Sequence, residues 1–287
     1  MVIEFLDDYG ILLDQINERE QLFDLLLDWQ TSDLNRERAM EAQDEINATF
    51  FCEEDSPRRL VSNHPLTTAV GGLQGLVVIA ANPGYDVERN QEEMQFRATA
   101  EGNRDFCQSF FGAAAELTQQ ISWWRAVAKF AFAAMTGEET NRLGDLWQWA
   151  HATGCLGSVD LVPFHSASDG ITGLIQSPNP MDNIDVRLAL RNTARQTLNM
   201  VLRLQPQAVV IASSAGTRII EEILAGMAYQ DHLCPVGNDW GDMFQYKVRH
   251  YVSNETHIFL RPGQLFSKKA GLGGLQGVLA TKIYELM

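Results

Sequence analysis

The hydrophobic pattern changes character near residue 70. Residues 11–30 (ILLDQINEREQLFDLLLDWQ) place Leu12, Leu13, Ile16, Leu22, Phe23, Leu26 and Leu27 at helical spacing, which predicts one amphipathic helix. Thr31, Ser32 and Asp33 are capping residue types and open a second, mostly polar helix over about 33–48. Pro57 and Pro65 mark 51–70 as irregular. Beyond this point four short apolar runs appear: Gly75–Ala81 (GLVVIAA), Ser158–Val162 (SVDLV), Ala208–Ala212 (AVVIA) and His257–Leu260 (HIFL). Runs of this length and composition suit strands buried on both faces of a parallel sheet.

Helical patterns separate the runs. They lie at 105–136, which contains Trp123 and Trp124, at 184–204, at 215–228 and at the closing segment 274–287. Trp123, Trp124, Phe110 and Phe111 read as core residues, and Arg187, Arg191 and Arg195 form an i, i+4 row that reads as a solvated face. Strands alternating with helices predict an α/β fold: a three-layer α/β/α sandwich around a four-stranded parallel sheet, formed by residues 71–287. Residues 1–70 form a helical N-terminal extension packed on that core. The duplication of GGLQG at 71–75 and 273–277 precedes a strand in one case and a helix in the other, so it is no structural repeat.

Charge sharpens the division. The chain carries a net −15, but residues 1–70 hold 5 Lys/Arg against 16 Asp/Glu, a net −11, and the remainder is near neutral. Such acidity argues against general affinity for phosphate backbones, which comes from cations that displace counterions. The one basic stretch, 247–282, holds Lys247, Arg249, Arg261, Lys268, Lys269 and Lys282 against Glu255 alone, and is where nucleic acid would touch. The acidic region could cover that surface or recruit a protein partner. No apolar run reaches the ~20 residues that span a bilayer, so no membrane association is expected. Cys52, Cys107, Cys155 and Cys234 form no Cys-x-x-Cys pair, which leaves neither a zinc ribbon nor a chelated cluster, and no metal or cofactor is implied. Scattered thiols behind an acidic start fit the cytoplasm.

Ligands of open α/β sheets bind beyond the carboxyl ends of the strands. The first run ends in Asn82-Pro83-Gly84-Tyr85-Asp86, the second in Pro163-Phe164-His165-Ser166, the third in Ser213-Ser214 and the fourth in Arg261-Pro262-Gly263-Gln264-Leu265. A strand ending in Asn-Pro-Gly, followed after two further strands by one ending in a polar residue, Pro, a small residue and, two residues later, Leu, resembles the uracil-DNA glycosylase superfamily. The mismatch-type and thymine-type branch is the most similar. The resemblance covers about residues 71–287 and implies hydrolysis of the N-glycosidic bond of a flipped base.

Carried over by position, the resemblance makes Asn82 the residue that orients the attacking water. Phe96 becomes the ring that stacks on the base, Phe164-His165-Ser166 the reader of its edge, and Arg261 the first residue of the closing motif. Gly84 and Tyr85 would complete the base pocket. Ser213, Ser214, Gly263, Gln264, Lys268 and Lys269 would meet the backbone. Two positions depart from the family: its His or Asn is Arg261 here, and its Ser is Gly263. A guanidinium can hold an anionic leaving base but cannot shuttle a proton. An amide at 82 orients water without deprotonating it, so Asp86 or His165 is the candidate base. The same residues in simpler roles would make Asn82-Pro83-Gly84 a turn, and would pair Arg261 with Asp160 or Asp242. Two further readings stand beside the enzyme: a module that binds a nucleobase, nucleotide or single-stranded end without cleaving it, and an acidic interaction protein.

Overall fold

The four apolar runs become the middle of one mixed sheet. The structure, a computed structural model, describes residues 1–53, 58–60, 69–81, 101–102, 105, 122–164, 170–176, 183–237, 243–260 and 275–287. Three helices come first, α1 (Val2–Gln15), α2 (Arg19–Thr31) and α3 (Asp33–Phe50). Strands β1 (Ala69–Gly71) and β2 (Leu76–Ala80) lead to α4 (Ser122–Thr136) and α5 (Leu143–Thr153). Then follow β3 (Leu156–Asp160), α6 (Gly170–Gln176), α7 (Ile184–Arg203), β4 (Ala208–Ile211) and α8 (Ser214–Ile223). The chain closes with β5 (Tyr229–Gly237), β6 (Met243–Ser253), β7 (Thr256–Leu260) and α9 (Gly277–Leu286).

The sheet runs β1-β3-β2-β4-β7-β6-β5. Its centre, β3-β2-β4-β7, is parallel throughout. The expected four-stranded parallel sheet is thus extended. β1 lies antiparallel on β3, and the long hairpin β5–β6 continues antiparallel from β7. The helical pattern over 11–30 also resolves differently, as the last turn of α1 followed by α2. The chain is extended at Ile16, and the Gln21 side-chain oxygen accepts from the N–H groups of Asn17 (3.0 Å) and Glu18 (3.3 Å), restarting the helix.

Strand alternation sorts the core into two layers. Val77, Ile79, Val159, Val209, Ile211, Ile258 and Leu260 face one way and join a single apolar cluster with α1, α2, α3, α6, α7 and α8. Leu76, Val78, Leu156, Ala208, Val210 and Phe259 face the other way, against α4, α5 and α9. This is a three-layer α/β/α arrangement. The N-terminal helices belong to the first layer: Val2, Phe5, Leu6, Tyr9, Gly10 and Leu13 form the buried stripe of α1.

Two guanidinium groups lock this layer. Arg203, at the end of α7, donates to the carbonyls of Leu13 (2.6 Å) and Ile16 (3.3 Å), at and just past the C-terminus of α1. Arg19, at the start of α2, donates to the carbonyls of Leu204 (2.7 Å), Gln205 (3.1 Å) and Leu73 (3.2 Å). The arginine row of α7 is also engaged, in contrast to the solvated face expected. Arg191 and Arg195 both pair with Glu222 of α8, the latter at 2.9 Å, and Arg187 lies over the Phe50 ring at 4.8 Å.

Candidate functional site

The site location follows from the winding of the sheet. From β2 the chain passes through α4 and α5 on one face to reach β3. From β3 it passes through α6 and α7 on the other face to reach β4, which lies on the opposite side of β2. Connections therefore diverge to opposite faces between β2 and β4, and the crevice between their carboxyl ends is where open α/β sheets hold ligands.

The register defines the floor of that crevice. Ala80 of β2 pairs with Asp160 of β3. On its other side the Ala212 N–H donates to the Ile79 carbonyl at 2.8 Å, carrying the β2–β4 ladder one residue beyond β4. Asp160, Ala80 and Ala212 thus form a row across three adjacent strands on the α4/α5 face. All three are half-buried, while Ser158, Val78 and Val210 in the row beneath are buried. Two methyl groups where larger side chains stand below make a shelf, with a carboxyl at its side.

The Asp160 side chain forms no hydrogen bond or ion pair with any described residue, and burial raises its carboxyl well above the usual carboxylate range. A neutral carboxylic acid both donates and accepts a hydrogen bond. The sequence reading assigned Asp160 only as a structural partner for Arg261. The signal available was its position as the one charged residue in an otherwise apolar strand run.

The other expected site residues divide. Asn82, Gly84, Tyr85, Asp86, Phe96, His165, Ser166, Arg261, Gly263, Gln264, Lys268 and Lys269 lie outside the described residues. The strands that lead to them do not: β2 runs toward Asn82 and β7 toward Arg261, with β4 alone between them. At the usual strand spacing their ends are about 10 Å apart on the same edge of the sheet. Phe164, expected with His165 and Ser166 to read the base edge, is fully buried and stacks on Phe5 of α1 at 5.8 Å, at the junction with the N-terminal helices. Ser213, expected to meet the backbone, caps α8, its Oγ accepting from the Gly216 N–H at 3.3 Å. Ser214 opens α8 beside it, half-buried.

The basic stretch is locally neutralised where it is described. Lys247 pairs with Asp231 at 2.5 Å, Arg249 with Glu221 at 2.6 Å and Asp231 at 3.3 Å, and Lys282 with Glu285 at 2.9 Å. None of these partners comes from residues 1–70, whose described pairs include Asp8–Arg38 and Asp14–Arg203. Among the described residues no group of three or more His, Cys, Asp or Glu is arranged to hold a metal ion, and no helix is long and apolar enough to cross a membrane. Comparison with protein-family models, curated proteins and solved structures gave no match.

Proposed function

We propose that the chain is a uracil-DNA-glycosylase-like protein that hydrolyses the N-glycosidic bond of a base in DNA or of a related nucleobase compound. The observation that carries this reading is the winding of the sheet, which diverges to opposite faces between β2 and β4. The strand leading to Asn82-Pro83-Gly84 and the strand leading to Arg261-Pro262-Gly263 end about 10 Å apart beside that point. In this reaction a water oriented by Asn82 attacks the anomeric carbon. The carbon–nitrogen bond breaks, and its electron pair leaves on the base. Asp86 or His165 takes the proton from the water, and the Arg261 guanidinium holds the departing anion. Release of free base from uracil- or mismatch-containing oligonucleotides tests the reading. Asn82→Ala and Arg261→Ala are each expected to lower the rate about 10²-fold or more. Activity that survives both substitutions removes these residues from the mechanism.

The lack of an acid at position 82 and of a histidine at 261 favours a second reading: a module that binds a base without cleaving it. Base binding by the wild type with no product release selects this second reading.

A further inference from the structure

A cavity of about 280 Å³ opens at the other end of the sheet, where β4 and β7 begin. Ala208 and His257 pair there, and the His257 N–H donates to the Gln207 carbonyl at 3.0 Å. The connection from α7 to β4, the β6–β7 turn, His257 and Met287 line it. Its size is just under the roughly 300 Å³ at which pockets for drug-sized ligands begin, so it suits a small molecule. Glu255 is the one carboxylate among the lining residues, and none of them is Lys or Arg. The Arg19 guanidinium, which reaches the same connection, is bonded to the carbonyls of Leu73, Leu204 and Gln205.

Three features of this cavity select a cation. The first is the turn. Ser253 pairs with Thr256, which leaves Asn254 and Glu255 as a two-residue hairpin loop at φ +46° and +70°. The second position of such a loop is ordinarily glycine. A carboxylate thus stands where the backbone disfavours any side chain, and strain of this kind gathers at functional sites. The second feature is α9, which ends here with Met287 in the lining, so the negative end of its dipole adds to the carboxylate. The third is the His257 ring. Its Nδ1 lies 3.2 Å from Nε2 of His250, which burial, with His257 and His232, keeps neutral down to a pKa of about 4. When Nδ1–H donates to His250, the Nε2 of His257 is left as an acceptor.

We infer that this cavity binds a small primary ammonium ion with a short apolar tail and no carboxylate. The ammonium N–H groups donate to the Glu255 carboxylate, to His257 Nε2 and to the side-chain carbonyl of Asn254 or Gln207. The tail lies against Pro206 and Met287. A carboxylate on the ligand would be repelled by Glu255. The site is at the opposite end of the strands from the proposed nucleobase site and does not depend on that reading.

Titration of the full-length chain with n-butylammonium at neutral pH, followed by NMR shifts of the His257 imidazole, tests this. The neutral 1-butanol and the zwitterion norvaline serve as controls. Butylammonium is expected to bind saturably, and more weakly as salt is raised. Both controls are expected to bind about 5-fold more weakly or worse, and Glu255→Gln to lower butylammonium affinity by a similar factor. Glu255→Gly is expected to lose the same binding while melting no lower than the wild type, because glycine takes φ +70° freely. Equal affinity in the wild type and Glu255→Gln, equal affinity for 1-butanol, or no saturable shift by about 10 mM ligand overturns the assignment. A Glu255→Gly chain that melts lower and still binds butylammonium leaves Glu255 to the turn alone and overturns it as well.

Discussion

Burial moves Asp160 and His250 in opposite directions along the pH axis. In Asp160 it favours the protonated acid, so folding holds a proton that the unfolded chain releases above its ordinary carboxylate pKa. That carboxyl therefore opposes folding at neutral pH, a cost typical of groups kept for binding or catalysis. In His250 burial, followed by the neighbouring His257 and His232, lowers the pKa from 6.5 to about 4. Its ring stacks on Phe259 at 4.6 Å, and its Nε2 lies 3.2 Å from Nδ1 of His257. The unfolded chain protonates this histidine near 6.5 and the folded one only near 4. Its contribution to stability is thus fully present above about pH 7 and is lost as pH falls through that interval, amounting to on the order of 2–3 kcal/mol. Urea midpoints measured from pH 7.5 to 4 should fall accordingly. His250→Phe, which keeps the stack on Phe259, should flatten this acid limb.

Elements meet most tightly where β1 turns into β2. Gly71 has φ +85°, and Gly72 donates its N–H to the Leu156 carbonyl at 3.2 Å. A Cβ on Gly72 would stand 2.6 Å from the Gly154 Cα, and Gly154 is itself left-handed at φ +57°. Backbone faces backbone here, so no side-chain rotation relieves the clash. Gly72→Ala is expected to destabilise the fold by about 1–3 kcal/mol, read as a lower denaturation midpoint with unchanged m-value. The GGLQG segment at 71–75 thus has a packing reason unrelated to its copy at 273–277.

The same scale shows which elements were legible. β2, β3, β4 and β7 were read because each is buried on both faces and so becomes an uninterrupted apolar run. β5 and β6 were not, because His232 and His250 occupy inward positions where alternation leads one to expect aliphatic residues. The desolvated His250 imidazole serves there as a flat ring, stacked on Phe259. The break between α1 and α2 was missed because Ile16 keeps the apolar period going while the backbone leaves the helix.

Across the whole molecule the acidic N-terminal quarter is structural in its packing. Phe5 and Tyr9 stack with Trp29 at 5.3 and 4.8 Å, Phe5 meets Phe164, and Arg19 and Arg203 tie the helix ends of this region to α7. Removing residues 1–60 would uncover the layer formed by Val77, Ile79, Val159 and the buried side of α7. The truncated chain is expected to aggregate or to lose cooperative unfolding, checked by gel filtration and thermal melts. A folded, monomeric remainder with raised DNA affinity at low salt would instead make this region a detachable mask.

By itself the sequence determined what each segment must bury: doubly buried strands, helices with one apolar face, and acidity concentrated at one end. These follow from local periodicity and composition, which neighbouring residues carry whatever the rest of the chain does. Only the tertiary structure decided that β2 lies between β3 and β4, that the winding reverses beside it, and that burial raises the Asp160 carboxyl there. Strand order and desolvation depend on segments about fifty to 130 residues apart coming together, so no stretch of sequence contains them.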